Sequence, residues 1–224
     1  MTLQLHKEIE KLKKMLLFLM TVVEESLSKA VIAMENRDSD LAQEVIEGDR
    51  RIDEMEVEIA EEGLKILALH QPVAVDLRFI VSAIRTNNEL ERIGDTAVNL
   101  AERAAFLCTR PPLNLPLDFS GMADKAQEMV RLSLDSFINM DVDLSRKVIR
   151  MDDVVDDMNK EMFDMVYAKI KEIPDRAESL IHTLSATRHL ERIADHATNI
   201  AEDVIYMVTG EIIRHQAEDF SEKS

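Results

Sequence analysis

Apolar residues recur at three- and four-residue steps along almost the whole chain, as in Leu90, Ile93, Ala97, Leu100 and Ala104. That spacing gathers them on one stripe of a helix and predicts an all-α protein. Breakers are few. His70-Gln71-Pro72 ends one long helical run, Pro111, Pro112 and Pro116 make a linker, and Pro174 interrupts the second half. The pattern predicts helices over about 3–36, 39–70, 73–108, 118–140, 142–171 and 175–209.

The two halves repeat each other. LERIGDTAVNLAE at 90–102 matches LERIADHATNIAE at 190–202, with nine identities in 13 positions at an offset of 100. Earlier in each half, Asp38, Asp40, Leu41, Val45, Ile46, Asp49, Asp53 and Met55 align with Asp141, Asp143, Leu144, Val148, Ile149, Asp152, Asp156 and Met158 at an offset of 103. The connection into the last helix is therefore three residues shorter in the second half. The expected organisation is two tandem three-helix bundles, over 1–110 and 117–209, followed by a polar tail at 210–224 that frays. A lone three-helix unit leaves apolar surface exposed, so the two should pack side by side. Ala97, Ala101, Ala104 and Ala105 permit close approach.

Composition narrows the function. Of the 224 residues 46% are hydrophobic and 32% charged, the balance of a soluble globular chain. Aromatic residues are 4%, and five Gly and five Pro are too few to punctuate the short strands of a sandwich or barrel. Lys plus Arg number 27 against 44 for Asp plus Glu, and the net charge of −17 argues against nucleic acid and for cations or basic partners. The single Cys108 cannot form an intramolecular disulfide, and the N-terminus lacks the ordered regions of a signal peptide, so a cytoplasmic location is expected. The longest apolar stretch, Met15 to Val23, is nine residues, less than half of the roughly 20 that a membrane helix needs.

The candidate chemistry lies in the acids. Glu91 and Asp95 sit at i and i+4, as do Glu191 and Asp195, and the preceding helix of each half supplies Asp49 with Asp53 and Asp152 with Asp156. Such neighbours share a helix face and repel by roughly 0.2–0.5 kcal/mol per pair, a cost that a hard multivalent cation would reverse. Roughly nine acidic i,i+4 pairs would arise by chance at this composition, and a duplication copies a solvated surface as readily as a ligand set. Spacing alone therefore favours a plain solvated face over metal.

A helical wheel turns Glu91 and Asp95 away from the core stripe, so any metal would sit outside the bundle or in a shallow groove beside the neighbouring helix. That differs from ferritin-like di-iron proteins, which project ligands inward and use Glu-x-x-His, a motif none of the six His completes. His182, His189 and His196 fall seven apart but on the flank of the core, where packing is the expected role. Arg92 and Arg192 flank the acidic pairs as expected ion-pair partners. No phosphate-cradling Gly loop, CxxC pair or nucleophile elbow is present, and no spacing picks out a triad.

Taken together, two three-helix repeats, each with Asp-x-x-x-Asp on its middle helix and LERI(G/A)D followed by Asn and Glu on its third, resemble the PhoU family over nearly the whole chain. QPVAVDLR, Gln71 to Arg78, matches the start of that family's third helix, and the second half lacks a counterpart. The resemblance implies a non-enzymatic, cytoplasmic negative regulator of phosphate uptake. It would act with the ATPase of the phosphate ABC transporter and a phosphate-sensing histidine kinase, repress the phosphate-starvation response, form a homodimer, and reach the membrane only through partners. It also implies multinuclear metal clusters on E(D)xxxD motifs, with iron favoured and zinc, manganese or magnesium as alternatives. By position the first cluster falls to Asp49, Asp53, Glu91 and Asp95 and the second to Asp152, Asp156, Glu191 and Asp195, with Asn99 and Asn199 as supporting contacts. The competing readings are a metal-dependent phosphatase or oxidase and a metal-free helical scaffold.

Overall fold

The computed structural model describes residues 3–113 and 118–213; most of the expected polar tail, 214–224, lies outside the described residues. The chain forms α1 (Leu3–Asn36), α2 (Ser39–His70), α3 (Ala74–Cys108), α4 (Phe119–Asn139), α5 (Val142–Glu172) and α6 (Ala177–Thr209), with no strand among the described residues. Helices α1, α2 and α3 pack on one another, as do α4, α5 and α6. The two bundles meet through α3 against α6, the most extensive interface in the molecule, with α1 touching α4 beside it. The long α2 and α5 therefore flank a central α3/α6 pair.

Small residues allow that central approach. Ala97, Ala101 and Ala104 on α3 and Ala194, Ala197 and Ala201 on α6 are fully buried. Ala105 is only partly covered, at the edge of the core. Larger side chains fill the space to either side, among them Leu90, Ile93 and Leu100 on α3 and Leu190, Ile193 and Ile200 on α6.

The corner from the first to the second helix is built the same way in both bundles. Arg37 (φ 55°) and Met140 (φ 54°) take the left-handed conformation. The next N–H bonds back five residues, Asp38 to the Ala33 carbonyl and Asp141 to the Ser136 carbonyl, both at 2.9 Å. This closes the last turn of α1 and of α4. The same aspartates then cap the following helix: Asp38 accepts from the N–H groups of Asp40 and Leu41, and Asp141 from those of Asp143 and Leu144. Each cap contributes about 1 kcal/mol, which offsets the strain of the residue before it.

The second connection differs between the halves. Gln71 (φ 44°) ends α2, Pro72 is buried, and α3 starts at Ala74. In the second half α6 starts at Ala177, two residues later than the spacing predicts, because Pro174–Arg176 form a 3₁₀ turn first. Proline lacks the N–H for a full helical bond and keeps Ile173 out of the helical region, at φ −131° and ψ 66°.

One departure from the repeat has a packing reason. Gly94 is buried, and a Cβ there would lie 3.0 Å from Ile52 Cδ1 and 3.2 Å from its Cγ2. The repeat-equivalent residues are Val155 and Ala194. One half thus combines a larger branched residue on the middle helix with glycine on the last, and the other a smaller one with alanine.

A candidate metal centre in each repeat

The antiparallel packing of α2 on α3 brings the two acidic pairs of the first repeat to one shallow groove. Ligand oxygens of Asp49, Asp53 and Asp95 all lie within 4.8 Å of one another. Asp53 and Asp95 are exposed and Asp49 is half-buried. Oδ1 of Asp49 is buried without a hydrogen-bond partner. Burial, then the charges of Asp53 and Asp95, push the Asp49 carboxyl up to about 6. Glu91 stands beside this trio, its carboxyl held above the usual range by burial and then by Asp95, Glu56 and Asp53.

Glu56 is a fifth acid that spacing did not single out. It lies three residues after Asp53, and burial followed by the Asp53 charge raises its carboxyl as well. The amide of Asn87 on α3 fixes it, donating to the Glu56 carbonyl at 2.9 Å and to Oε1 at 3.0 Å.

The second repeat places Asp152, Asp156, Glu191 and Asp195 in the equivalent groove between α5 and α6. The quartet is more open, since no three of its ligand oxygens come within that distance of one another, yet its members are more buried. The Asp152 carboxyl is driven up to about 7 by burial, then by Asp195 and Asp156. Burial and then Asp156 raise Asp195, and burial followed by Asp195 and Asp156 raises Glu191. Asn159 stands where the first repeat has Glu56 and accepts from Thr187, the counterpart of Asn87, at 3.3 Å. The first groove therefore carries one more carboxylate than the second.

The donor set suits a hard cation. Carboxylates that are partly desolvated, crowded and short of hydrogen-bond donors gain little from ionising unless a positive charge joins them. All eight sequence-derived acids lie in these grooves, four in each.

Several neighbouring residues behave differently from expectation. Asn99 donates to the carbonyl of Asp95 on its own helix, and Asn199 is turned to Glu89, so neither supports the acids directly. Arg92 and Arg192 close no ion pair among the described residues; Arg92 moderates Glu91 and Glu89 through its field, and Arg192 moderates Glu191 and Asp195. The histidines do pack as their position suggests. His182 stacks on Phe106 at 3.6 Å, and burial, followed by the charge of Arg103, lowers His189 to about 4.

His196 has a further partner that spacing missed. Its Nδ1 lies 2.8 Å from Glu89 Oε2, which also accepts from Asn199 at 3.1 Å. Burial pushes the Glu89 carboxyl up, but these hydrogen bonds and the imidazole outweigh it and leave it below its ordinary value. Along the same seam Arg85 pairs with buried Asp203 at 3.0 Å, and Ser82 donates to the Asp203 carbonyl. These groups tie α3 to α6, and so one metal-candidate helix to the other. The only hint in the sequence is that the repeat breaks at both partners: His189 answers to Glu89, and Thr96 to His196.

Known proteins match this architecture. The family model described as the PhoU domain matches twice, over residues 16–104 and 119–204. A phosphate-specific transport system accessory protein PhoU homolog of Aquifex aeolicus is 40% identical over 96% of this chain and 97% of its own length. The phosphate-specific transport system accessory protein PhoU of Escherichia coli is 34% identical over 98% of this chain and 91% of its own. Among solved structures, PhoU from Pseudomonas aeruginosa superposes with a TM-score of 0.90 at 39% identity, covering 92% of this chain and 99% of that one. The phosphate transport system regulatory protein PhoU from Streptococcus pneumoniae gives 0.83 at 26%, covering 93% and 98%. With both repeats matched and relatives aligned from end to end, the chain belongs to the PhoU family, whose members are named as transport accessory and regulatory proteins and not as enzymes.

Proposed function

We propose that this protein is a cytoplasmic regulator of phosphate uptake that represses the phosphate-starvation response and uses metal ions on its two acidic grooves to set its docking-competent shape. Its relatives' names support the phosphate-transport role. The partners would be the ATPase of a phosphate ABC transporter and a phosphate-sensing histidine kinase, and the working form a homodimer. No described helix is long and apolar enough to cross a membrane, so contact with a transporter would run through surfaces.

The observation that carries the metal part is the paired crowding of half-buried carboxylates, with Asp49 and Asp152 raised to about 6 and about 7 in equivalent grooves. Asp49, Asp53, Glu91 and Asp95 would hold one cluster and Asp152, Asp156, Glu191 and Asp195 the other, iron being the favoured metal. The ions would supply positive charge that joins α2 to α3 and α5 to α6. Glu89, His196 and Asn199 connect α3 to α6, so the seam between the repeats would feel either cluster. A charge of −17 steers the protein toward basic partner patches and makes association faster at low salt.

The test is recovery of partners from a cell extract by the tagged protein, with and without metal and phosphate. The proposal expects a transporter ATPase or a histidine kinase, in amounts that change with metal. Recovery of neither would defeat the regulatory reading, and recovery indifferent to metal would leave a metal-free scaffold.

A further inference from the structure

Beside the second acidic groove, α5 and α6 enclose an open cavity of about 420 Å³ lined by Asn159, Lys160, Phe163, Asp164, Arg188 and Glu191, among others. Arg188 is exposed and closes no ion pair among the described residues, which leaves a whole guanidinium fork for a ligand. Lys160 is exposed and pairs with exposed Asp157 at 3.1 Å, with Asp156 and Asp153 acting on it through their field. Asn159 uses its carbonyl oxygen to accept from Thr187, which leaves its NH₂ as a further donor. Phe163, 51% exposed, stacks on Tyr167 at 6.3 Å and forms an apolar wall.

The first repeat is a built-in comparison. At the offsets of 103 and 100, Asn159, Lys160 and Arg188 correspond to Glu56, Val57 and Asn88, and Phe163 to Ala60. Two cations and an amide in one groove thus replace an acid, an apolar residue and an amide in the other.

We propose that this cavity binds a phosphoryl oxyanion, held by Arg188, Lys160 and Asn159. The inference rests on the metal reading above in one respect. Lys160 and Arg188 are outweighed by Asp157, Asp164 and Glu191 until cations on the second cluster neutralise Glu191, after which the Arg188 guanidinium is left to attract an anion. Planar bidentate donors from arginine suit phosphate, and lysine adds a point charge. Free orthophosphate and a nucleotide phosphate share this chemistry, and Phe163 would favour the nucleotide by stacking under its base.

The experiment is equilibrium dialysis of the full chain loaded with Mn²⁺, using radiolabelled orthophosphate and, separately, AMP, with metal content measured on the same samples. The variants are R188N and K160V/R188N, which install first-repeat residues at exposed positions; helicity by circular dichroism checks folding. The proposal expects one anion per chain, binding weakened at least about tenfold by R188N and further by the double variant, with metal content unchanged. Tighter binding of AMP than of orthophosphate assigns the cavity to a nucleotide, and equal or weaker binding assigns it to free phosphate. Equal affinity in the wild type and K160V/R188N, or metal-loaded protein that binds neither probe, would overturn the anion site while leaving the metal reading intact. Arginine-dependent anion binding by protein that takes up no metal would keep the cavity as an anion site but overturn the metal reading and the role of Glu191 neutralisation; binding of neither metal nor anion would overturn both.

Discussion

Replacing Asp152 by Asn should change stability in opposite directions with and without metal. In the metal-free protein the Asp152 carboxyl is raised from 3.8 to about 7, because burial and the charges of Asp195 and Asp156 disfavour its ionised form. A group raised on folding contributes its full stability below its unfolded pKa and loses it as pH rises through the folded value. Metal-free wild type should therefore lose stability between about pH 4 and 7. The three-unit shift would be about 4 kcal/mol if undiminished, and solvent screening at this partly open groove reduces it to about 1–2 kcal/mol. Asn keeps the size and removes the charge, so D152N should unfold at higher urea than wild type at pH 8.5 in chelator and match it near pH 4. With metal the order inverts, since a ligand is gone and the binding free energy that stabilises the native state falls with it. Urea unfolding followed by circular dichroism at both pH values, with chelator and with Mn²⁺, reads all four arms. A D152N variant less stable than wild type at pH 8.5 in chelator, or equally stabilised by metal, would refute the electrostatic argument.

Two further predictions concern packing. Gly94→Ala places a Cβ 3.0 Å from Ile52 Cδ1, an overpacking cost of about 1–3 kcal/mol against about 0.5–1 kcal/mol gained in helix propensity. It should destabilise the native chain and turn neutral or stabilising when Ile52 is Val, as in the other repeat; identical effects in both backgrounds, read by thermal unfolding, would deny the compensation. Glu89→Ala leaves His196 and Asn199 without their acceptor at the α3/α6 seam and should cost about 2–3 kcal/mol in a urea titration, and a loss below 0.5 kcal/mol would show that the seam is held by apolar packing alone.

Much of this fold was legible because its signals are local or repeated. The apolar period gives six helices, and the offsets of 100 and 103 pair the halves, Asp38 with Asp141 among them, before any contact is known. The eight acids could be grouped into two sets of four for the same reason. Glu56 escaped because it lies outside the i,i+4 pattern, and only the fold of α3 over α2 brings Asn87 to it. The Glu89–His196 and Arg85–Asp203 links join residues more than 100 apart in sequence, and neither has a repeat copy to draw attention to it. The start of α6 moved because a proline-led 3₁₀ turn takes its place, a local effect that helical periodicity does not register.

The central claim is that the duplicated carboxylates hold metal, and the most direct measurement is the metal content per chain of three purified proteins. These are the wild type, a variant with Asp49, Asp53, Glu91 and Asp95 changed to Asn or Gln, and one with Asp152, Asp156, Glu191 and Asp195 changed likewise. Elemental analysis with native mass spectrometry would give stoichiometry and oligomeric state together. The account predicts that each variant stays helical and loses about half of the bound metal, because each groove binds on its own set of ligands. Metal content unchanged in both variants, or a wild type that takes up none, would contradict it.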